Sequence, residues 1–409
     1  MSGATRARLG VLDLVPISSG SDAASALTNT IDLAQTAERL GYCRYWFAEH
    51  HLNPGVAGTS PAVLIAQVAG ETSSIRLGSG GVQSGHRTAL SIVEEFGLLD
   101  ALHPNRIDLG IGRSGGREFL KRMADTARSR GLSNKSPEPT KTSTNGILIP
   151  PRPSLAGMVH SPRLALTADL LQQPNAETVQ YGELVGTIVA LLDGQCRSAD
   201  GLDPHPVPGT GAGVEVWILG SSAGESAEVA GKLGLRFAAN YHVSPSTILE
   251  AVDAYRSAFV ASAQLDHPYL AVSADVVVGR DDAHAAELAS GYGLWVHSIR
   301  SGQGAIPFPS PEEARQHQWT DEERALVSDR VDTQFVGSAA TVADQLERLR
   351  DVTGADELII TTITHRHTDR IESYRLLADE WSLRSEHGDR ASSASSLDAK
   401  EPSKAAEVH

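Results

Sequence analysis

The strongest constraint on the fold is a regular alternation of short apolar runs with amphipathic stretches. Eight runs are rich in strand-favouring residues, and segments with helical periodicity separate them. They cover residues 9–15, 43–47, 75–82, 106–111, 214–219, 234–239, 270–278 and 357–362. Eight β–α units are typical of a closed (β/α)8 (TIM) barrel, whereas an open doubly wound sheet normally has fewer strands. The sequence therefore predicts an α/β protein with a (β/α)8 barrel.

Two long insertions interrupt the alternation, one after the fourth strand and one after the seventh. Residues 117–175 are irregular and rich in Pro, Ser, Thr and Lys, and residues 301–332 form the second interruption. A loop of the first kind is usually either functional or disordered, so an active-site lid and a flexible segment both remain open. Residues 385–409 are small, polar and charged, which predicts a disordered tail. We therefore predict a single barrel domain over residues 1–384.

Charge and cysteine content exclude several classes of protein. The 409 residues include 35 Lys+Arg and 50 Asp+Glu, a net charge of −15, whereas nucleic-acid binding needs a basic face. No window approaches the roughly 18 consecutive apolar residues of a membrane span, and the first residues lack a signal-peptide core. Cys43 and Cys196 are too few for a disulfide framework or a cysteine-based zinc site. We expect a cytoplasmic protein that binds neither nucleic acid nor membrane.

Catalytic groups of a (β/α)8 barrel lie just after its strands, at the C-terminal face. Glu49, His50 and His51 follow the second strand, where ionisable groups serve proton transfer or anion stabilisation. Adjacent histidines point in different directions from a strand end, so at most one is expected to reach a shared site. For an isolated pair, a helix cap or a loop hydrogen bond is the simpler interpretation.

Glycines mark the end of the third strand. Ser79, Gly80 and Gly81 lie there, and glycines allow unusual backbone angles and a close approach of a flat ligand to the main chain. A bend required by barrel closure explains them equally well, and the two interpretations are compatible.

The fourth and fifth strands are followed by residues suited to a phosphate. Residues 110–115 match GxGxxG, but an insertion stands where a dinucleotide-binding fold needs a helix, so that interpretation fails. Arg113 suits a bidentate grip on phosphate and equally a surface ion pair with a carboxylate. Gly220, Ser221 and Ser222 precede a helix, whose N-terminus is a ready anion site. Together these residues predict a phosphate-bearing ligand.

A metal-dependent hydrolase is the competing class. Residues 364–367 (Thr-His-Arg-His) follow the eighth strand, and a His-x-His pair can ligate a metal. Such sites usually need further ligands from other strand ends, and Asp13, Asp108 and His86 do not combine naturally with this pair. We therefore predict no metal site.

An ordered series of motifs resembles the bacterial luciferase-like family of flavin-dependent monooxygenases. The similarity is densest from residue 9 to residue 116 and looser beyond it. The motifs are WFAEHH (46–51), TSP (59–61), IRLGS (75–79), EEFGLLDALHPNR (94–106), DLGIGR (108–113), QYGE (180–183), VWILGSS (216–222), LGLRF (233–237) and FVG (335–337). The ordered set is much more specific than any single member.

The resemblance implies a luciferase-like barrel that binds FMN or, in one branch of the family, the deazaflavin F420. By position, His50 would support formation or breakdown of a C4a-peroxyflavin, and Glu49 would orient His50. Arg113 would hold the FMN phosphate, aided by Ser221 and Ser222. The resemblance also places a non-prolyl cis peptide under the flavin ring, and residues 80–81 match that place.

The implied activity is that of a two-component monooxygenase. Reduced FMN would be supplied in trans by a separate NAD(P)H:flavin reductase, because no NAD(P)H-binding domain is visible in the sequence. With O₂, the enzyme would hydroxylate, epoxidise or Baeyer–Villiger oxidise a small organic substrate, and family members are often homodimers. The alternatives are an F420-dependent oxidoreductase that transfers hydride and a non-catalytic flavin-binding barrel, although Glu49 and His50 favour catalysis.

Overall fold

A computed structural model describes residues 6–131, 139–154 and 156–383. Eight parallel strands form a closed barrel, because the last strand pairs with both the seventh and the first. They are β1 (Arg8–Asp13), β2 (Arg44–Phe47), β3 (Arg76–Ser79), β4 (Ile107–Gly112), β5 (Glu215–Gly220), β6 (Arg236–Asn240), β7 (Leu270–Gly279) and β8 (Glu357–Thr361). The predicted (β/α)8 barrel is confirmed.

Each barrel strand is followed by a helix of the outer layer. These helices are α1 (Ala23–Leu40), α2 (Pro61–Ala69), α3 (Ala89–Leu102), α4 (Tyr181–Leu192), α5 (Glu225–Lys232), α6 (Ile248–Ala258), α7 (Ala339–Thr353) and α8 (His367–Trp381). Helix α1 begins where Asp22 accepts a hydrogen bond from the Ser25 N–H, and it ends at Gly41 with φ of 89°. In the described part of the chain, no helix is long and apolar enough to cross a membrane.

The two insertions contain helices, so the expectation of an irregular segment over 117–175 is wrong for much of its length. The first insertion has helices Gly116–Gly131, Ala156–Val159 and Pro162–Leu171 and a hairpin of Lys141–Thr142 with Leu148–Ile149. Between β7 and α7 lie helices Asp282–Ala289, Tyr292–Arg300, Pro311–Gln316 and Asp321–Val331 and a short strand, Phe335–Ser338.

The physical reason is local. Ser161 caps one of these helices ahead of Pro162 at its first turn, and paired Ser310–Glu313 and Thr320–Glu323 capping boxes start two others. Polar sequence alone therefore did not distinguish these helices from loops. Residues 132–138, residue 155 and the predicted tail over 385–409 lie outside the described residues.

A layer of buried charge closes the N-terminal end of the barrel. Arg44, at the start of β2, donates from Nε to Glu357 Oε2 over 2.7 Å and from Nη1 to Asp108. Arg76 donates from Nε to Asp108 Oδ1 over 2.8 Å. Arg44 is 2% exposed and both carboxylates are 0% exposed. Because each buried charge faces an opposite charge, the layer is electrically compensated inside a medium that stabilises isolated ions poorly.

Aromatic side chains form the next layer of the barrel interior. The Trp46 and Trp217 rings lie 5.1 Å apart, centroid to centroid, and Trp46 Nε1 donates to Asp108 Oδ2 over 2.9 Å. The Arg44 guanidinium lies 4.8 Å from the Trp217 ring centroid, which is within reach of a cation–π interaction. Among the described residues, these side chains therefore fill the N-terminal half of the barrel interior.

We predict that replacing Arg44 by Met lowers the free energy of unfolding by roughly 3–5 kcal/mol, because Asp108 and Glu357 lose their buried counter-ion. Urea denaturation followed by circular dichroism measures this loss. Arg375→Met is the matched control, since Arg375 pairs with Glu372 and Asp379 on the surface of α8. Its effect should stay below about 1 kcal/mol. Equal losses in the two variants would contradict a special role of the buried layer.

Candidate active site

A cavity of about 870 Å³ opens at the C-terminal end of the barrel. This volume lies within the roughly 300–1,000 Å³ that is usual for cofactor and small-molecule sites. Most of the residues predicted from the sequence line it, namely Glu49, His50, Gly80, Gly81, Arg113, Gly220, Ser221 and Ser222. Ser79 does not: it is fully buried, and its hydroxyl joins β3 to β4 through the Gly110 N–H and carbonyl, each at 2.9 Å.

The main chain of Gly80 and Gly81 forms one wall of the cavity. Their shared peptide bond is cis, as the resemblance implied. A Cβ on Gly80 would lie 2.6 Å from Leu12 Cδ1, and one on Gly81 would lie 2.8 Å from the Gly110 carbonyl oxygen. A side chain is therefore excluded at Gly81, where the close atom is backbone, whereas one at Gly80 would require the Leu12 side chain to move. The main chain of both residues lines the cavity.

The resemblance implied that Glu49 orients His50, whereas in this structure the hydrogen bonds of the Glu49 carboxylate go to other residues. Glu49 Oε1 accepts from His51 Nε2 over 2.9 Å and lies 3.3 Å from His86 Nε2, while Oε2 accepts from the Gln83 N–H over 2.9 Å. Gln83 Nε2 also donates to the Glu49 carbonyl oxygen over 2.7 Å. Glu49 therefore fixes the segment that follows the cis peptide. The direction of the side chains at the strand end determines that Glu49 contacts His51, and sequence spacing does not reveal this direction.

Hydrogen bonding lowers the pKa of Glu49. Burial favours its neutral form, but hydrogen bonds from His51, His86 and the Gln83 N–H lower the pKa of Glu49 to about 2. The carboxylate is consequently charged at neutral pH. Arg87 Nη2 lies 3.6 Å from Glu49 Oε1 and adds to this stabilisation.

The same cluster offers three potential metal ligands. One ligand atom each from Glu49, His51 and His86 lies within 4.8 Å of the other two. The nearby Arg87 guanidinium opposes a cation there. In addition, His86 Nδ1 is buried and finds no hydrogen-bond partner among the described residues, whereas a metal-bound histidine usually donates this N–H. The arrangement is therefore better described as a hydrogen-bond network.

The His-x-His pair after β8 does not converge on a common point. His365 Nε2 lies 3.1 Å from the Ser19 carbonyl oxygen, and His367 Nε2 lies 2.8 Å from Asp32 Oδ2. Neither histidine is among the residues that line the cavity. The two histidines therefore make separate contacts with the β1–α1 segment and with α1 rather than a shared ligand set.

Two neutral histidines face the centre of the cavity. Burial, and then the neighbouring His51, lower the pKa of His50 to about 4. Burial, and then Arg330, lower the pKa of His242 to about 3, and His242 Nδ1 lies 2.6 Å from Ser273 Oγ. His50 Nδ1 has no hydrogen-bond partner within the described ranges. Both imidazoles are therefore uncharged at neutral pH and able to exchange a proton with a bound molecule.

Basic residues lie at the β4–β5 side of the cavity. Arg113 Nη1 lies 2.6 Å from Glu225 Oε2, at the first turn of α5, so the ion-pair interpretation of Arg113 describes this structure. Arg122, which no sequence pattern indicated, lines the cavity beside Arg113 and donates from Nη2 to the Arg113 carbonyl oxygen over 2.5 Å. Ser221 and Ser222 stand at the same edge, before α5.

A buried charged group at the β7 side was also missed. Arg330 donates to Asp275 Oδ2 over 3.2 Å and from Nη2 to the Tyr292 hydroxyl over 2.7 Å, and Tyr292 donates to Asp275. Both Asp275 and Arg330 line the cavity. An aspartate inside the apolar run of β7 was the only signal available in the sequence, because Arg330 lies 55 residues further on.

The helices of the two insertions cover the cavity with mainly apolar side chains. The lining residues that they contribute include Met158, Leu164, Ala168, Leu171, Trp295 and Ile299. Sequence patterns did not identify these residues, because the insertions were not assigned helices. The arrangement combines a bare main-chain wall, a basic end and an apolar cover.

Comparison with known proteins identifies the family. The family model described as luciferase-like monooxygenase matches residues 7–132 and 182–357. The Bacillus subtilis protein named uncharacterized protein YvbT is 34% identical over 377 residues, which cover 92% of this chain and 97% of that protein. The luciferase-like monooxygenase of Escherichia coli is 32% identical over 371 residues, which cover 90% of this chain and 95% of that protein. This chain belongs to the luciferase-like monooxygenase family.

Solved structures agree with this assignment. Apo-MsnO8 superposes with a TM-score of 0.71 at 30% identity, covering 92% of this chain and 99% of its own. Two more distant structures share the fold alone. One is the oxygenating constituent of 3,6-diketocamphane monooxygenase in complex with FMN, at 16% identity and a TM-score of 0.53 over 91% of this chain and 96% of that chain. The other is an F420-dependent secondary alcohol dehydrogenase, at 13% identity and a TM-score of 0.57. It covers 92% of this chain and 99% of that chain.

We predict that His50 stays neutral down to about pH 4 in the ligand-free protein. Between its ordinary value of 6.5 and pH 4, the unfolded chain binds a proton that the folded chain does not, so acid lowers stability in this window. NMR titration of histidine-labelled protein measures the pKa, and His50→Gln assigns the resonance. The same variant should lose less stability between pH 6.5 and pH 4. A midpoint for His50 near 6.5 would contradict the prediction.

Proposed function

We propose that this protein is an FMN-dependent two-component monooxygenase. It uses reduced FMN, delivered in trans by a separate NAD(P)H:flavin reductase, and O₂ to oxygenate a small organic substrate. One observation carries the proposal: a single cavity joins a bare main-chain wall at Gly80–Gly81 to a basic edge at Arg113 and Arg122. FMN has the matching parts, a flat ring system at one end and a phosphate at the other.

The residues present fit such a ligand. Gly80 and Gly81 line the cavity without side chains, so this wall is open to a planar group. His50 Nδ1 and Asn240 Oδ1 are buried and lack hydrogen-bond partners in the described part of the chain. The phosphate end offers two guanidinium groups, two serines and the N-terminus of α5, which together form a donor set for an anion.

Bound reduced FMN would supply the electrons that activate O₂. The protein's own residues would transfer protons, position the ligand and exclude water. Neutral His50 can accept a proton from a group in the cavity, because its low pKa leaves a ring nitrogen unprotonated at neutral pH. Glu49 holds the Gln83 segment and thereby the backbone wall next to it. The apolar side chains of the insertion helices exclude water, which favours productive use of the activated oxygen.

The substrate-facing part of the cavity combines the apolar cover with the polar group of Asp275, Tyr292, Arg330 and His242. A small organic molecule with one polar end suits this combination. The type of oxygenation, whether hydroxylation, epoxidation or Baeyer–Villiger oxidation, depends on the substrate. The insertion over 117–175 would serve as the cover of the site, and the protein would act in the cytoplasm.

The runner-up is an F420-dependent oxidoreductase that transfers hydride without O₂. It has the same barrel, as the distant F420-dependent structure illustrates for the fold. Measuring which cofactor binds, FMN or F420, distinguishes the two. A non-catalytic flavin-binding barrel is the third candidate, and the neutral histidines in the cavity favour catalysis over it.

The predicted homodimer also remains a proposal, supported by exposed Val63, Leu98 and Leu102 on the neighbouring helices α2 and α3.

We predict that Arg113→Ala weakens FMN binding by about tenfold or more and leaves riboflavin binding nearly unchanged, because only FMN carries the phosphate that a guanidinium binds. Quenching of flavin fluorescence gives both dissociation constants. Arg117→Ala is the control, since Arg117 pairs with Asp169 on the surface and does not line the cavity. Equal losses for the two flavins would disprove the assignment of Arg113.

His50→Asn should lower turnover by roughly 10²-fold or more while FMN affinity changes less than about threefold, as expected for loss of a proton-transfer group. The assay supplies reduced FMN from a reductase and measures substrate oxygenation and hydrogen peroxide release. His51→Asn is the comparison, because His51 faces Glu49 and should weaken stability and the backbone wall instead. Full turnover in His50→Asn would exclude His50 from the chemistry.

A further inference from the structure

The basic end of the cavity already holds an anion that belongs to the protein. Glu225 is the first residue of α5, and its Oε2 lies 2.6 Å from Arg113 Nη1. It stands directly after the turn at residues 221–224, where the N–H groups and the dipole of α5 favour negative charge. A carboxylate and a phosphate pair with a guanidinium in the same bidentate manner. Glu225 and a phosphate therefore compete for one partner.

A second arginine increases the demand for an anion at this point. Arg122 is held against the Arg113 backbone by its hydrogen bond to the carbonyl oxygen, and burial together with the neighbouring Arg113 charge lowers the pKa of Arg122. Glu225 acts in the opposite direction on Arg122, as a nearby counter-ion does. Glu118 acts on Arg122 in the same direction and with the larger effect, whereas the ion pair at 2.6 Å joins Glu225 to Arg113.

We propose that Glu225 is a built-in competitor of the flavin phosphate. When a phosphorylated flavin binds, its phosphate replaces the Glu225 carboxylate on Arg113, and the carboxylate returns when the flavin leaves. This inference rests on the proposed function, since it assigns the phosphate of FMN to this end of the cavity. Glu225 thereby limits the affinity for FMN without affecting the affinity for a flavin that lacks the phosphate.

The exchange suits a cofactor that is delivered in trans. Such a flavin must bind after reduction elsewhere and leave after oxidation, so very tight binding would slow the cycle. A carboxylate on the protein also keeps the two arginines compensated whenever the flavin is away, which avoids repulsion between them. The side chain of Glu225 is 39% exposed and that of Arg113 is 28% exposed, so both can reorient without unfolding the barrel.

The test compares Glu225→Gln with Glu228→Gln. Each variant removes one negative charge from the first turn of α5, but Glu228 is exposed and pairs with Lys232 Nζ at 2.9 Å instead of with an arginine of the cavity. Dissociation constants for oxidised FMN and for riboflavin are measured by fluorescence quenching at low and high ionic strength. A thermal-shift titration with inorganic phosphate gives a readout that needs no flavin.

We expect Glu225→Gln to tighten FMN binding by about five- to tenfold at low ionic strength and by less in high salt, because screening weakens the removed repulsion. Riboflavin affinity should change less than twofold, and Glu228→Gln should change neither. Inorganic phosphate should raise the melting temperature of Glu225→Gln more than that of the wild-type protein.

Unchanged or weaker FMN binding by Glu225→Gln would overturn the inference and would make Glu225 a residue that positions Arg113. Equal tightening of FMN and riboflavin would overturn it too, since the effect would not involve the phosphate. If no form of the protein bound FMN, the proposed function would fail. A selective phosphate effect in Glu225→Gln would then still support competition for an anion at Arg113, whereas its absence would remove both conclusions.

Discussion

The structure depends on the compensation of charge that is buried at one end of the barrel. Arg44 lies against Asp108 and Glu357 with almost no exposure to solvent, and the tryptophan layer covers it on the inner side. Each ion would be costly in this position without the others. The charged and aromatic layers fill the N-terminal half, and the cavity lies at the strand ends of the opposite face.

The active-site end uses the same strands in a different way. The N-terminal layer is built from long side chains, whereas the wall at Gly80–Gly81 consists of main chain, and at Gly81 the β4 backbone is too close for a Cβ. Arg113 lies at one side of the cavity, whereas Arg330 is buried at another side, where it pairs with Asp275. This separation gives the cavity a basic edge and a more neutral interior, in which both histidines are uncharged.

Much of the architecture follows directly from sequence, because parallel strands buried on both faces read as short apolar runs. The positions of Glu49, His50 and Arg113 at the cavity follow from the rule that strand ends converge. The sequence could not show that Glu49 contacts His51 instead of His50, because that depends on side-chain direction. Nor could it identify Arg122 and Glu225, which lie on helices and have no fixed spacing from Arg113. The sequence allowed two roles for Arg113, an ion pair with a carboxylate and a contact with phosphate. The structure shows the ion pair with Glu225, and the proposed function uses the phosphate contact.

The two insertions are fastened to the barrel to very different degrees. In the second, Asp329 joins two of its own helices through Arg300 at 2.8 Å, and the buried Arg330 ties it to the barrel at Asp275 on β7. The helices of the first meet the barrel through partly exposed links, such as Arg163 to the Leu52 carbonyl oxygen at 2.7 Å. Breaking the buried pairs costs far more than breaking exposed ones. The second insertion is therefore held beside the cavity by a buried charge, whereas the Arg163 contact of the first is open to solvent.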